Sequence, residues 1–100
     1  MQLTEITIKD LVDNQILKSG TRLFLDNFDS DKYSCEITED AMLLIEFNNS
    51  IKKWPFPSGA AKSITKISIN GWIKWFLLDD NNDKVFLSEL RLRYFNQKKY

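Results

Sequence analysis

Histidine is absent from this chain, cysteine occurs once, and there are only two prolines and three glycines. Without histidine neither a Ser–His–Asp nor a Cys–His nucleophile can be assembled, and the commonest metal ligand is missing. The lone Cys35 has no partner for an internal disulfide, so a reducing cytoplasm is the expected location. No apolar run approaches the roughly 18 residues that would span a membrane. The opening MQLTEITIKD has neither the basic start nor the apolar stretch of a signal peptide. Repeats, low-complexity tracts and long linkers are missing as well. Gly-rich phosphate loops and adenine-methylase catalytic motifs are equally absent, so a non-enzyme is expected, with no cofactor and no small-molecule substrate.

What the chain does contain fits one folded domain over residues 1–100, with 43% apolar and 28% charged residues. A chain of this size buries roughly 60–70% of the surface it would expose unfolded. Net charge is zero, but its distribution is uneven. Residues 1–50 hold 4 basic and 10 acidic side chains, and residues 51–100 hold 10 and 4, giving −6 and +6. A neutral protein built this way can still present one positive surface to a polyanion. Solvated faces of unlike sign are the plainer explanation.

The hydrophobic spacing predicts an α+β fold, with a small antiparallel sheet of about four strands and three short helices. Thr7 and Asp10 are spaced as a capping box for a helix over 8–16, with Gly20 available to close it. TRLFL (21–25), YSCEIT (33–38) and MLLIEF (42–47) read as a three-stranded meander. In YSCEIT the strict alternation turns Tyr33, Cys35 and Ile37 inward, making Cys35 a packed thiol rather than a nucleophile. A second helix is expected over 57–66, opened by Pro57 and buried through Ala60, Ala61 and Ile64. FLSELRLRYFNQ reads as a third, with Leu87, Leu90, Tyr94 and Phe95 facing in and Glu89 and Arg93 paired at i,i+4. DDNND places Asp79, Asn81 and Asp83 at alternate positions as in a calcium loop. Lys84 stands where that loop needs glycine, so a solvated turn is the reading adopted.

INGWIKW (69–75) concentrates two tryptophans behind an Asn–Gly turn signal. Read as a strand over 72–78, it puts Ile73, Trp75 and Leu77 in the core with Leu44, Ile64 and Leu90. Trp72 then shares the other face with Lys74 and Phe76. On that face Trp72 either stacks on a base or packs beneath a helix.

Four segments together, ITIKDLVDNQILKSGTRLFL, FPSGAAKSITK, INGWIKW and FLSELR, resemble the restriction-enzyme adenine-methylase-associated (RAMA) domain over about residues 6–95. Similar modules end some bacterial adenine methyltransferases and GIY-YIG nucleases. The residues that match its pattern are Ser58, Ala60, Ala61, Asn70, Gly71, Trp72, Trp75 and Arg91. Pro55 and Phe56 depart from the Ser or Thr that relatives often carry there, and the Glu39–Asp40 turn lacks the usual glycine. The resemblance implies a non-catalytic DNA-binding accessory module in restriction-modification or DNA methylation, beside a methyltransferase or endonuclease subunit. On that reading Lys52, Lys53, Lys62, Lys66 and Lys74 neutralise phosphates and Ser58 donates to one. Asn70 reads an adenine edge and Trp72 stacks on a splayed base. The alternative is a protein-docking module that uses an aromatic patch of Trp54, Phe56 and Trp72.

Overall fold

In the computed structural model, which describes residues 1–98, a 3-10 turn (Leu3–Glu5) leads into helix α1 (Ile8–Asp13). Thr7 and Asp10 cap α1 reciprocally. The Asp10 N–H donates to the Thr7 hydroxyl at 3.2 Å, and the Thr7 N–H donates to the Asp10 carboxylate at 2.9 Å. The helix ends earlier than 16 because Gln15 turns left-handed (φ 61°). The Ile16 and Leu17 N–H groups then close on the Leu11 carbonyl. Gly20, at φ 88°, is therefore not the helix cap. It serves the entry into the sheet, where its N–H donates to the Ile37 carbonyl at 2.7 Å.

Six strands follow, two more than the sequence pattern predicts. They are β1 (Arg22–Leu25), β2 (Ser34–Ile37), β3 (Leu43–Phe47), β4 (Ser50–Trp54), β5 (Trp75–Leu78) and β6 (Lys84–Phe86). All pairings are antiparallel, in the order β4-β3-β2-β1-β5-β6. The unforeseen β4 returns from β3 through Asn48 and Asn49, at φ 51° and 65°, which is the positive-φ pair a type I′ hairpin turn requires. Replacing Asn49 with glycine should raise stability by about 0.5 kcal/mol, since glycine takes that conformation without a Cβ penalty. A denaturant midpoint that falls would show that the turn geometry is set elsewhere. The short β6 follows the acidic turn, where the Asp79 carboxylate accepts the N–H groups of Asn81 and Asp83, both at 2.9 Å. Among the described residues no three His, Cys, Asp or Glu side chains gather as a metal site.

The strand expected over 72–78 begins only at Trp75. Asn70 accepts the Trp72 N–H at 3.0 Å, capping a 3-10 turn over Gly71–Ile73. This turn breaks the alternation and leaves Ile73 54% exposed instead of buried. Leu44 and Leu77 are half-buried, while Trp75, Ile64 and Leu90 are in the core as expected.

Helices α2 (Pro57–Thr65) and α3 (Leu87–Lys98) pack with α1 on one side of the sheet. Strand register aligns Leu23 with Cys35, Ile37 with Leu43 and Leu25 with Trp75, and these pairs form the sheet side of the core. Ala60, Ala61 and Ile64 close it from α2, and Leu87, Leu90 and Tyr94 from α3. Cys35 is buried here, and loss of water pushes its thiol well above the usual range, so it stays protonated. Glu89 does not pair with Arg93 among the described residues. Its carboxylate turns back to accept the Phe86 N–H at 2.8 Å and closes the start of α3. Among the described residues no helix packs on the opposite side of the sheet. Arg22 and Glu36 pair across β1 and β2 there at 3.6 Å.

Candidate functional site

The residues of the sequence motifs meet where the 3-10 turn at Gly71 touches the start of α2. The Gly71 N–H donates to the Ser58 hydroxyl at 2.9 Å, and the Trp75 indole N–H donates to the Pro57 carbonyl at 2.9 Å. A Cβ on Gly71 would lie 2.2 Å from the Pro57 carbonyl carbon, so only glycine permits this approach. Trp72 is half-buried, with the Arg91 guanidinium 3.7 Å from its ring centroid. Arg91 also donates to the carbonyls of Thr4 and Ile6, at 3.0 and 2.7 Å, tying α3 to the N-terminal segment. Burial draws the Arg91 pKa below its ordinary value.

These contacts occupy much of what the sequence reading assigned to DNA. The Asn70 side-chain Oδ1 already accepts the Trp72 N–H, Ser58 faces Gly71, and one side of Trp72 is covered by Arg91. Together they form a joint between α2, the 3-10 turn and α3. Phe56 stands apart at the N-cap of α2 and is 65% exposed.

The lysines separate as well. Alternation in β4 sends Lys52 and Lys53 to opposite faces of the sheet. Lys53 lies on the helix-free face and pairs with Asp40 at 3.5 Å. Lys74 is half-buried at the end of the 3-10 turn, where its carbonyl accepts the Asp26 N–H at 2.9 Å. Lys62 is exposed on α2, one turn before Lys66.

Lys52 and Lys66 do come together. A groove of about 350 Å³ runs between the β3–β4 hairpin and the second half of α2, and both lysines line it. Its floor is apolar, built from Ile45, Phe47, Trp54 and Ile64. Its polar lining is completed by Asn48, Ser50 and Ser63, and no acidic residue contributes. Lys66 adopts a left-handed backbone (φ 64°) that ends α2, and its ammonium donates to the Ser63 carbonyl at 2.9 Å. That contact masks the negative end of the helix. Among the described residues Lys52 has no ion-pair partner. Trp54 is half-buried, and its ring edge approaches α2 at Gly59, where a Cβ would stand 3.7 Å from it. A third cation, Lys32, lies 5.0 Å from the ring centroid of Phe47 at the far end of the groove. Phe47, Tyr33 and Phe28 continue as an aromatic row, with successive centroids 5.4 and 4.9 Å apart.

Sequence reasoning misses Phe47, Asn48, Ser50 and Lys32, and gives Trp54 no role toward nucleic acid, because no hydrophobic alternation marks β4 as a strand. The signal was the Asn48–Asn49 pair. Read as a I′ turn, it aligns Phe47 with Ser50 and Ile45 with Lys52, which assembles the groove wall.

The fold and groove together define a small single α+β domain with a basic-rimmed, aromatic-floored cleft on the helical side of its sheet. Set against models of known families, curated proteins and solved structures, the chain matches none. No helix among the described residues is long and apolar enough to cross a membrane.

Proposed function

We propose that this domain is a non-catalytic, cytoplasmic DNA-binding module, accessory to a methyltransferase or endonuclease subunit. The observation that carries the reading is the convergence of Lys52 and Lys66, from separate elements, on one groove free of acidic lining residues. Two ammonium groups on a concave wall attract phosphate, and Lys32 and Lys62 add positive charge nearby. The resemblance to RAMA domains supplies the biological setting, as a module that holds an enzyme on DNA while chemistry is done elsewhere. The +6 charge of the second half of the sequence is consistent with it.

Salt dependence tests the reading directly. Each phosphate contact releases counterions, so removing one lysine should reduce the slope of log affinity against log salt by about one unit. Lys52→Ala with Lys66→Ala should therefore flatten the slope by about two units on any DNA sequence, with only a small fall in the thermal midpoint from the lost Lys66 contact with the Ser63 carbonyl. Lys53→Ala is the control, because Lys53 lies on the other face of the sheet and should leave the slope alone. DNA titrations in which the double variant matches the parent at low salt would remove the groove from consideration.

A further inference from the structure

We infer that the groove takes single-stranded nucleic acid, with Trp54 and Phe47 as the stacking positions and Lys52, Lys66 and Lys32 on the phosphates. This rests on the proposal that the domain binds DNA, and it names the form of the ligand. Duplex recognition through base edges needs a protruding helix or ribbon to enter a groove of the DNA. The basic residues here line a concavity instead, and its apolar floor carries two aromatic rings, Phe47 and Trp54. Aromatic floor and cationic rim together are the pattern of strand-binding sites, where any base can stack and the backbone is held by charge. Trp54 and Ser50, the partner of Phe47 across the hairpin, are separated by about 13 Å along β4, enough for a short stretch of extended strand. The volume of about 350 Å³ lies within the range of ligand-binding clefts.

Among the described residues, the aromatic rings of the sheet's other face and the two tryptophans of the 69–75 segment are engaged elsewhere. Phe24, Phe76 and Phe86 cluster on the helix-free face with centroids 5.8 and 5.6 Å apart. The Lys84 ammonium lies 4.7 Å from the Phe76 centroid and is anchored to Asp26 at 2.8 Å. Phe76 is left only 7% exposed. One side of Trp72 is covered by Arg91, whose guanidinium is already held by the Thr4 and Ile6 carbonyls, and Trp75 is fully buried. The groove brings the half-buried rings of Trp54 and Phe47 together with cations from three separate segments of the chain, Lys52 and Lys66 in its lining and Lys32 over the Phe47 ring.

Tryptophan fluorescence reads the proposal out with a short oligothymidylate and a duplex of the same length. Oligothymidylate should bind more tightly than the duplex and quench the emission. Trp54→Ala should weaken oligothymidylate binding roughly 5- to 150-fold, the equivalent of one lost stacked base. Trp54→Phe keeps the packing against α2, so it should stay folded, retain most of the affinity and lose the quench. Trp72→Phe should keep the quench. If the duplex binds with lysine dependence but Trp54 does not respond, the DNA reading stands and the single-strand assignment is overturned. If neither nucleic acid binds at low salt, both fall. Quenching of Trp54 seen only as protein concentration rises would assign the groove to a second copy, and would likewise overturn the proposal.

Discussion

Gly71→Ala is expected to lower the unfolding free energy by about 3 kcal/mol or more, measured by urea denaturation. The cost does not come from backbone conformation, because Gly20 is the glycine with positive φ. It comes from space. The added Cβ would stand 2.2, 2.3 and 2.6 Å from the Pro57 carbonyl carbon, the Pro57 oxygen and the Ser58 nitrogen, all backbone atoms at the start of a helix. No rotamer change relieves such an overlap, so the 3-10 turn must move away from α2. Two hydrogen bonds cross that contact, Gly71 N–H to Ser58 and the Trp75 indole to the Pro57 carbonyl. Each is worth about 1 kcal/mol net, and more where an acceptor is left buried without a partner. Gly20→Ala provides the contrast. Its Cβ would meet nothing within 4 Å, so only the cost of φ 88° remains, about 1 kcal/mol. Equal losses for the two variants would mean that the Gly71 approach to α2 does not fix the joint.

The asymmetry between what the sequence disclosed and what it hid follows from the range of the signals. The Thr7–Asp10 cap, the inward Tyr33–Cys35–Ile37 alternation and the Ala60–Ala61–Ile64 stripe are local patterns, and each has its counterpart in the fold. β4 is hidden because Ser50–Trp54 (SIKKW) is largely exposed: Ser50, Lys52 and Trp54 line an open groove, and Ile51 and Lys53 face out on the other side. Strand pairing, rather than burial, defines such a segment, and the pairing is written in the two asparagines of its turn. The 3-10 turn at Gly71–Ile73 was mistaken for strand for a different reason. An Asn–Gly pair before aromatic residues suits a hairpin equally well, and the competing Asn70 cap and Ser58 contact depend on a helix start thirteen residues earlier. The candidate site was legible as residue types and not as a place. Lys52 and Lys66 stand out in the sequence as cations within a module that resembles a DNA-binding one. Their convergence, and the separation of Lys53 and Lys74 from them, needed the sheet register and the direction of α2.

The two tryptophans of INGWIKW should respond very differently to truncation. Trp75→Ala is expected to cost about 3–5 kcal/mol, which threatens the folded state of a domain this small. The indole is 0% exposed between β1 and α2, and its N–H satisfies the Pro57 carbonyl, so the substitution opens a cavity and strands an acceptor together. Trp75→Phe divides the two effects: it fills most of the volume, and its remaining loss reports the hydrogen bond and the smaller void. Trp72→Ala should cost less, about 1–2 kcal/mol, because its ring is half-buried and its main partner is the Arg91 guanidinium. Arg91 would still hold Thr4 and Ile6 through its own hydrogen bonds, so the N-terminal segment stays attached. Oligothymidylate affinity per folded molecule should be unchanged in Trp72→Ala, since the stacking positions lie in the β4–α2 groove. A Trp72→Ala variant that melts as early as Trp75→Ala would identify the Trp72–Arg91 stack as part of the core. One that stays folded but loses the oligonucleotide would move the stacking position from Trp54 to Trp72. Paired denaturation curves and nucleic-acid titrations on the same variants separate these outcomes, because cavity and cation–π losses appear in the first measurement and stacking in the second.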